Sequence, residues 1–303
     1  MSTSWSPPWS TPSGRRSSTA LPPDPAPLTV LEVLKLASNH LHKRGSDSAR
    51  LDAEVLLAHA LGVRRLDLYL RFDRPLSEAE LGPYRALVAR RVRGEPVAYL
   101  VGHKEFMALD FEVTPAVLVP NPDTEVLVQR AVALARESGR ALRVADVGTG
   151  SGCIAIAVAH YAPGVEVWAG DISGAALEVA AGNVAKHGLE TRVHLVCGDL
   201  MAPLPGAFDL VCANLPYLAA GSELAPEVLA QPARALYAEA DGAGLVTRLL
   251  AEAPARLNPG GRVLAEVDPS ILAVVLDAAG GHFGEHVVHR DLGGHERVLE
   301  AWS

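Results

Sequence analysis

Two hydrophobic periodicities divide the chain. From Thr29 to about Arg93 the apolar residues recur at helical spacing. Val30, Leu31, Val33, Leu34 and Leu36, with Leu41 extending the stripe, predict a helix that ends at Gly45. Ser48 is placed to cap a second helix, with Leu51, Val55, Leu56 and Leu57 as its apolar face and Gly62 as its stop. A shorter piece covers Leu66 to Leu70. Ser77 and Glu80 form a capping box, in which each side chain satisfies a free N–H at a helix start. That helix runs to about Arg93, with Arg90, Arg91 and Arg93 read as a solvated face, and Gly94 ends it. Residues 29–94 therefore read as a small helical bundle. Residues 1–28 are rich in Ser and Pro without apolar periodicity and are expected to be a disordered leader. Arg15-Arg16, with no acid before Asp24, keeps a transit peptide open behind a plain flexible tail or a misplaced start.

Residues 95–122 form a connector. Lys104 to Thr114 alternates around Ala108-Leu109-Asp110, the pattern of a β-hairpin. Pro120-Asn121-Pro122-Asp123-Thr124-Glu125 follows; its prolines fix an extended path, and Asp123 or Thr124 is placed to cap the next helix. Within 123–303, short apolar runs alternate with helical ones. Strands are predicted at Arg143–Val147, Val165–Gly170, Val193–Cys197, Asp209–Ala213 and Arg262–Val267. Helices are predicted at Cys153–His160, Ala175–His187, Leu245–Leu257 and Ile271–Ala279. His286–Arg290 and Arg297–Trp302 lie close enough in sequence to pair antiparallel. The order implies an α/β, Rossmann-like fold: a mostly parallel seven-stranded sheet, closed by an antiparallel C-terminal hairpin and preceded by the helical bundle.

Composition removes several function classes. The 303 residues carry 27 Lys and Arg against 35 Asp and Glu, a net charge of −8. So acidic a chain is poorly suited to gripping nucleic acid through phosphates, and direct binding of that kind is not expected. Cys153, Cys197 and Cys212 are odd in number, widely spaced and set in apolar runs, as buried thiols in a reducing compartment would be. No metal-ligand spacing occurs among them or the eleven histidines. No apolar run reaches the ~18–20 residues that span a bilayer, and no secretory h-region is present, so a cytoplasmic protein without a membrane partner is expected.

Candidate chemistry lies where strands end, because ligands of open α/β sheets bind outside the carboxyl ends of the strands. The first strand ends at Asp146-Val147 and passes into Gly148-Thr149-Gly150-Ser151-Gly152. A glycine-rich turn before a helix lets a ligand approach the backbone. The spacing is G-x-G-x-G, with Cys153 where a dinucleotide fingerprint wants Gly or Ala, which argues against a nicotinamide oxidoreductase. Asp171, nineteen residues beyond Gly152, ends the second strand and is placed to accept from two ribose hydroxyls. Asp199 ends the third and is placed to accept from an adenine amine, with Leu200 against the ring. Asp146 is placed either to orient the far end of the ligand or to anchor the glycine loop. Together these residues resemble the cofactor site of class I S-adenosylmethionine-dependent methyltransferases. Trp168 is read as core packing.

The fourth strand ends in Asn214-Leu215-Pro216-Tyr217. A carboxamide nitrogen is a poor nucleophile because its lone pair is delocalised. Methylation requires it to shift toward tetrahedral geometry, and two acceptors aimed at its hydrogens favour that change. The Asn214 side-chain oxygen and the Leu215 carbonyl are placed to supply them, Pro216 stiffens the turn, and Tyr217 is placed to stack on the flat amide. No strong general base is needed while the nitrogen attacks.

From about Thr29 onward the chain resembles the release factor glutamine N5-methyltransferases, the HemK or PrmC family. The resemblance rests on Gly94-Glu95-Pro96, Lys104-Glu105-Phe106, the P-N-P-D-T-E segment, the glycine turn and the N-L-P-Y stretch. It rests also on Pro232 with Ala235-Leu236, and on Asp291, Gly293 and Glu296-Arg297-Val298. It implies S-adenosyl-L-methionine as cofactor and peptide chain release factors as partners. Their Gly-Gly-Gln loop would enter the acceptor site, with the helical bundle helping to bind the factor. Three positions depart from the usual pattern: Leu215 for Pro, Asn121 for Arg and Gln231 for Glu. N-L-P-Y also occurs in rRNA adenine dimethyltransferases, so N6-adenine methylation of rRNA or DNA is the rival reading. A non-catalytic cofactor-binding protein is the other, disfavoured by intact Asn214 and Tyr217.

Overall fold

The computed structural model describes residues 27–303 except 220, 222, 223, 239–241 and 292. All but Pro27 and Leu28 of the expected leader lies outside the described residues. The chain divides into two compact units, Met1–Val101 and Gly102–Ser303.

Among its described residues the first unit holds five helices: α1 (Val30–Lys43), α2 (Ala49–Leu61), α3 (Arg65–Leu70), α4 (Glu78–Val92) and α5 (Val97–Val101). Helix α1 buries Val30, Val33, Ala37 and Leu41, and Thr29 with Glu32 forms its capping box. Leu31, expected in the stripe, is exposed. Helix α2 departs further: Leu51 faces outward while Asp52 and Glu54 are buried. The cause is polar. Arg91, expected on a solvated face, is buried and donates to Asp52 at 2.7 Å. Ser46 and Ser48 donate to the same carboxylate at 2.9 and 2.7 Å, so Ser48 makes no side-chain cap. A paired, hydrogen-bonded charge can be buried where a bare one cannot.

The second unit opens with a hairpin, β1 (His103–Phe106) and β2 (Leu109–Glu112), turned by Met107 and Ala108, both with positive φ. That conformation matches the twist of paired strands. A 3₁₀ turn at Pro122–Thr124 leads into α6 (Glu125–Ser138). Asn121 caps that turn, its side chain accepting from the Asp123 N–H at 3.2 Å, while Thr124 holds the N-cap position of α6 as expected, though without a side-chain cap bond. Then come β3 (Leu142–Val147), α7 (Cys153–Tyr161), β4 (Val165–Asp171), α8 (Gly174–Lys186), β5 (Val193–Cys197) and β6 (Phe208–Ala213). Two short helices, α9 (Pro226–Leu229) and α10 (Ala233–Leu236), precede α11 (Gly244–Glu252) and β7 (Leu257–Glu266). Helix α12 (Leu272–His282) and the hairpin β8 (Glu285–Arg290) and β9 (Glu296–Trp302) complete the unit.

The large sheet has seven strands in the order β5-β4-β3-β6-β7-β9-β8, antiparallel only where β9 meets β7 and β8. Two apolar layers, one on each face, enclose it. The order reverses between β3 and β6, the switch point at which a crevice opens beyond the strand ends. There Val147 pairs with Ala213, and Ala213 pairs with Ala265. The glycine turn, Asn214 and Glu266 thus leave three adjacent strands side by side. At the opposite end, β7 begins earlier than expected: Phe208 pairs with Leu257 and Leu210 with Arg262, so Asn258–Gly261 are taken up in one irregularity.

Candidate active site

A cavity of about 460 Å³ occupies this crevice, within the size range of small-molecule sites. Gly148, Thr149, Gly150, Ser151, Asp171, Asp199, Leu200, Asn214, Leu215 and Pro216 all line it. Gly152, Asp146 and Tyr217 are not among its lining residues.

The glycine turn is held from below. Gly148 and Thr149 N–H groups both donate to the Gly170 carbonyl at 2.9 Å. The Asp146 carboxylate, wholly buried, accepts through Oδ2 from Thr149 Oγ1 at 2.6 Å and the Ala155 N–H at 3.1 Å. Of the two roles open to Asp146, anchoring the loop is the one these bonds display. Its Oδ1 has no partner among the described residues. Burial pushes its pKa up to about 7 against those two hydrogen bonds, with Asp171 adding to the rise. Gly148 has φ of +76°, and a Cβ there would stand 2.8 Å from the Leu215 side chain. Gly150 has φ of +56°, with open space where its Cβ would be. One glycine is needed for packing, the other for the turn and an uncovered backbone.

Asp171 accepts through Oδ2 from the Gly150 N–H at 2.9 Å and through Oδ1 from the Ser173 N–H at 2.8 Å. Each oxygen keeps a further lone pair. Asp199 is half-exposed and ion-paired with Arg248 at 2.7 Å, a partner not expected from the sequence. Leu200, next to it, has φ of +43° although it is not glycine, a strained conformation of the kind found beside ligand sites. An S-adenosylmethionine molecule fits this set. It is cationic at both sulfonium and ammonium, and the site offers carboxylates at two strand ends and an uncovered glycine backbone.

At the acceptor side, Asn214 Nδ2 donates to Thr124 Oγ1 at 2.9 Å. That assigns the amide nitrogen to the protein and leaves Oδ1 as the free acceptor. Leu215 is buried against Gly148. Tyr217 is largely buried, and burial, then Glu266 and Asp268, pushes its pKa up to about 12, so it stays a neutral phenol. Two of the three unusual positions have partners: Gln231 Oε1 accepts from the Val119 N–H at 2.9 Å, and Asn121 caps the 3₁₀ turn. Trp168 lies outside the cavity, its ring 4.6 Å from that of His194.

Three residues went unassigned in the sequence. Thr124 has the position of a helix cap, yet its hydroxyl oxygen accepts from Asn214. Arg248 gave no signal. Glu266 could have been found by the rule that found Asp171 and Asp199, since it ends a parallel apolar strand. It is 2% exposed, and its Oε2 has no partner among the described residues. Burial pushes its pKa up to about 7, with nearby Thr124 and Asn214 and the charge of Arg297 opposing the rise. Arg297 itself pairs with Asp123 at 3.2 Å and Asp291 at 2.9 Å. Among the described residues no group of His, Cys, Asp or Glu could hold a metal, and no helix is long and apolar enough to cross a membrane.

Sheet order, glycine turn and crevice are those of a class I methyltransferase. A methyltransferase from Pyrococcus furiosus shares the fold, with a TM-score of 0.51 and 21% identity over 70% of this chain and 94% of that one. Family models narrow the class: the PrmC N-terminal domain matches residues 32–102, and the methyltransferase small domain matches 121–240. The release factor glutamine methyltransferase of Rhodopirellula baltica is 42% identical over 284 residues, 90% of this chain and 96% of that protein. Its counterpart in Moorella thermoacetica is 41% identical over 281 residues, 91% and 99% of the two. The chain belongs to the release factor glutamine methyltransferase family.

Proposed function

We propose that this protein methylates the N5 nitrogen of the glutamine in the Gly-Gly-Gln loop of peptide chain release factors. The observation that carries the reading is Asn214 at the switch point, with Nδ2 engaged by Thr124 and Oδ1 left to accept. S-adenosylmethionine, when bound, supplies an electrophilic methyl group on a sulfonium sulfur.

The chain's own residues position and polarise. The backbone of Gly148 to Gly152 and the carboxylates of Asp171 and Asp199 are assigned to hold the cofactor, with Leu200 against its adenine and Asp146 beneath the loop. Asn214 Oδ1 and the Leu215 carbonyl accept the two N–H groups of the glutamine amide. As the nitrogen becomes tetrahedral, its hydrogens gain positive charge, and fixed acceptors bind that state more tightly than the flat amide. Pro216 restricts the turn. Tyr217, outside the cavity wall, is assigned to the entrance, where the flat amide passes its ring. The proton that remains on nitrogen after attack leaves to water. Alignment of this kind can contribute up to roughly 7–11 kcal/mol.

The helical unit, taken as 29–94, is assigned to recognition of the release factor, 95–122 to a connector, and 123–303 to catalysis. A cytoplasmic location, with the translation machinery, follows from that partner. Adenine methylation is not favoured, since the relatives that match over most of the chain bear the glutamine name. The test is transfer of a radiolabelled methyl group to purified release factor, ribosomal RNA and DNA in parallel. Label on release factor, lost when its Gly-Gly-Gln glutamine is replaced, is expected; label on nucleic acid alone would refute the reading.

A further inference from the structure

Part of the cavity wall comes from a helix that the chemistry above does not use. Helix α11 contributes Leu245 and Arg248, three residues apart and so on one face. Arg248 Nη2 donates to Asp199 Oδ2 at 2.7 Å, and the same nitrogen stands 3.7 Å from Glu252 Oε1, one turn further on. The bond joins residues 49 apart and ties α11 to the end of β5, an edge strand of the sheet. We propose that Arg248 is a positioning residue for the adenine of the cofactor: by holding Asp199 Oδ2, it turns Oδ1 toward the 6-amine. The inference rests on the reading of Asp199 as the acceptor for that amine.

The backbone beneath Asp199 is already fixed. The Gly198 N–H donates to the Asp171 carbonyl at 3.0 Å, and the Ala202 N–H to the Asp199 carbonyl at 3.1 Å. Arg256 donates to the carbonyls of Met201 and Gly206, both at 3.0 Å, and to that of Leu204. These bonds leave the Asp199 side chain itself unconstrained, and it is half-exposed. An exposed carboxylate held by nothing samples several staggered rotamers and spends its lone pairs on water. The bond from Arg248 selects one orientation before the cofactor arrives, and it occupies one oxygen while the other keeps its lone pairs for the amine.

An ion pair this exposed adds little to folding. Its worth lies in binding. A bound ring takes water away from the pair, and the attraction between the two charges grows as the local dielectric falls. Arg248 also offsets the negative charge that a lone Asp199 would bring against the ring. The arrangement selects at the 6-position of the purine: a carboxylate accepts and cannot donate, so an amine there is favoured over a hydrogen or an oxygen.

The test measures calorimetric affinity for S-adenosylhomocysteine, the demethylated cofactor, and for its analogue with hydrogen in place of the 6-amine. Wild type, Arg248→Met, Arg248→Lys, Asp199→Ala and the double variant carrying Arg248→Met and Asp199→Ala are compared, with thermal midpoints alongside. Wild type is expected to prefer the amine-bearing ligand by about tenfold to a hundredfold, the range for a hydrogen bond to a charged group. Arg248→Met should shrink that preference by about twofold to tenfold, the cost of ordering one side chain on binding, with affinity for the analogue unchanged. Arg248→Lys should restore most of it. Asp199→Ala should abolish the preference, and adding Arg248→Met should then change nothing. In methyl transfer the Arg248→Met loss should fall on KM for the cofactor and not on kcat. Equal loss for both ligands in Arg248→Met would overturn the proposal, since Arg248 would then touch the ring or merely shape the wall; so would no loss for either. A wild type indifferent to the amine would overturn it from beneath, by removing the reading of Asp199.

Discussion

Glu300 offers the most quantitative handle on the frame that holds the site. Its side chain has no exposed surface, and it accepts from Arg130 on α6, Arg262 on β7 and His289 on β8. The Arg130 contact, 2.7 Å, fastens α6 over the sheet. The same helix begins beside Thr124, so this carboxylate holds it near its middle and the acceptor site at its start. Burial raises the Glu300 pKa, but donors from Arg130, His289 and Arg262 outweigh it and hold the group at about 2, against an ordinary 4.5. Two and a half pH units correspond to about 3 kcal/mol. For a carboxyl with a depressed folded pKa, that stability is fully present above 4.5 and is lost as pH falls toward 2. Glu300→Gln keeps the volume and removes the charge. Denaturant unfolding at pH 7 should therefore show the variant less stable by about 3 kcal/mol, with the gap narrowing to roughly 1 kcal/mol at pH 3, where the unfolded wild type has already bound its proton. A gap that is the same at both pH values would mean that shape, not charge, holds the junction. No gap at pH 7 would refute the account altogether.

Three further perturbations address the site and the helical unit. Asn214→Ala should lower turnover by ~10²–10³, as loss of one well-placed polar group does elsewhere, with cofactor affinity by calorimetry little changed; normal turnover would remove Asn214 from the chemistry. Gly148→Ala should cost ~1–2 kcal/mol for its left-handed backbone and about 1 kcal/mol more for displacing Leu215. In a double-mutant cycle with Leu215→Ala, only the second part should disappear. Arg91→Met should destabilise the helical unit by ~3–5 kcal/mol through the uncompensated charge of Asp52. Hydrogen exchange should show that loss within 30–92, and equal loss across the sheet would contradict it.

The sheet was legible because apolar strands and amphipathic helices have different periods, and because the glycine turn punctuates the first strand. Parallel pairing followed from alternation, and the antiparallel edge from the final hairpin; the order of the strands did not. That Asp171, Asp199 and Asn214 line the crevice was legible by one rule, that residues ending parallel strands of an open α/β sheet face it. Buried polarity was not legible. Arg91 and Asp52 lie 39 residues apart, and neither carries a local mark of its partner. Thr124 looked like a cap because capping is local, whereas its bond to Asn214 spans 90 residues. Leu31 and Leu51 matched the helical period, but period alone does not say how wide the covered stripe is. The pairing of Asp199 with Arg248 likewise depends on where α11 comes to rest, which no spacing in the sequence encodes.

The irregular start of β7 bears on how this protein can change length over evolution. The extra residues between Leu257 and Arg262 are absorbed at the end of the sheet away from the cavity. A residue gained or lost there would alter an exposed turn and leave every later pair in place. The same change between Arg262 and Glu266 would shift the strand by one and send its side chains to the opposite face. Glu266 would no longer stand beside Asn214. Indels should therefore be tolerated among relatives on one side of Arg262 and purged on the other, a boundary drawn by sheet register alone.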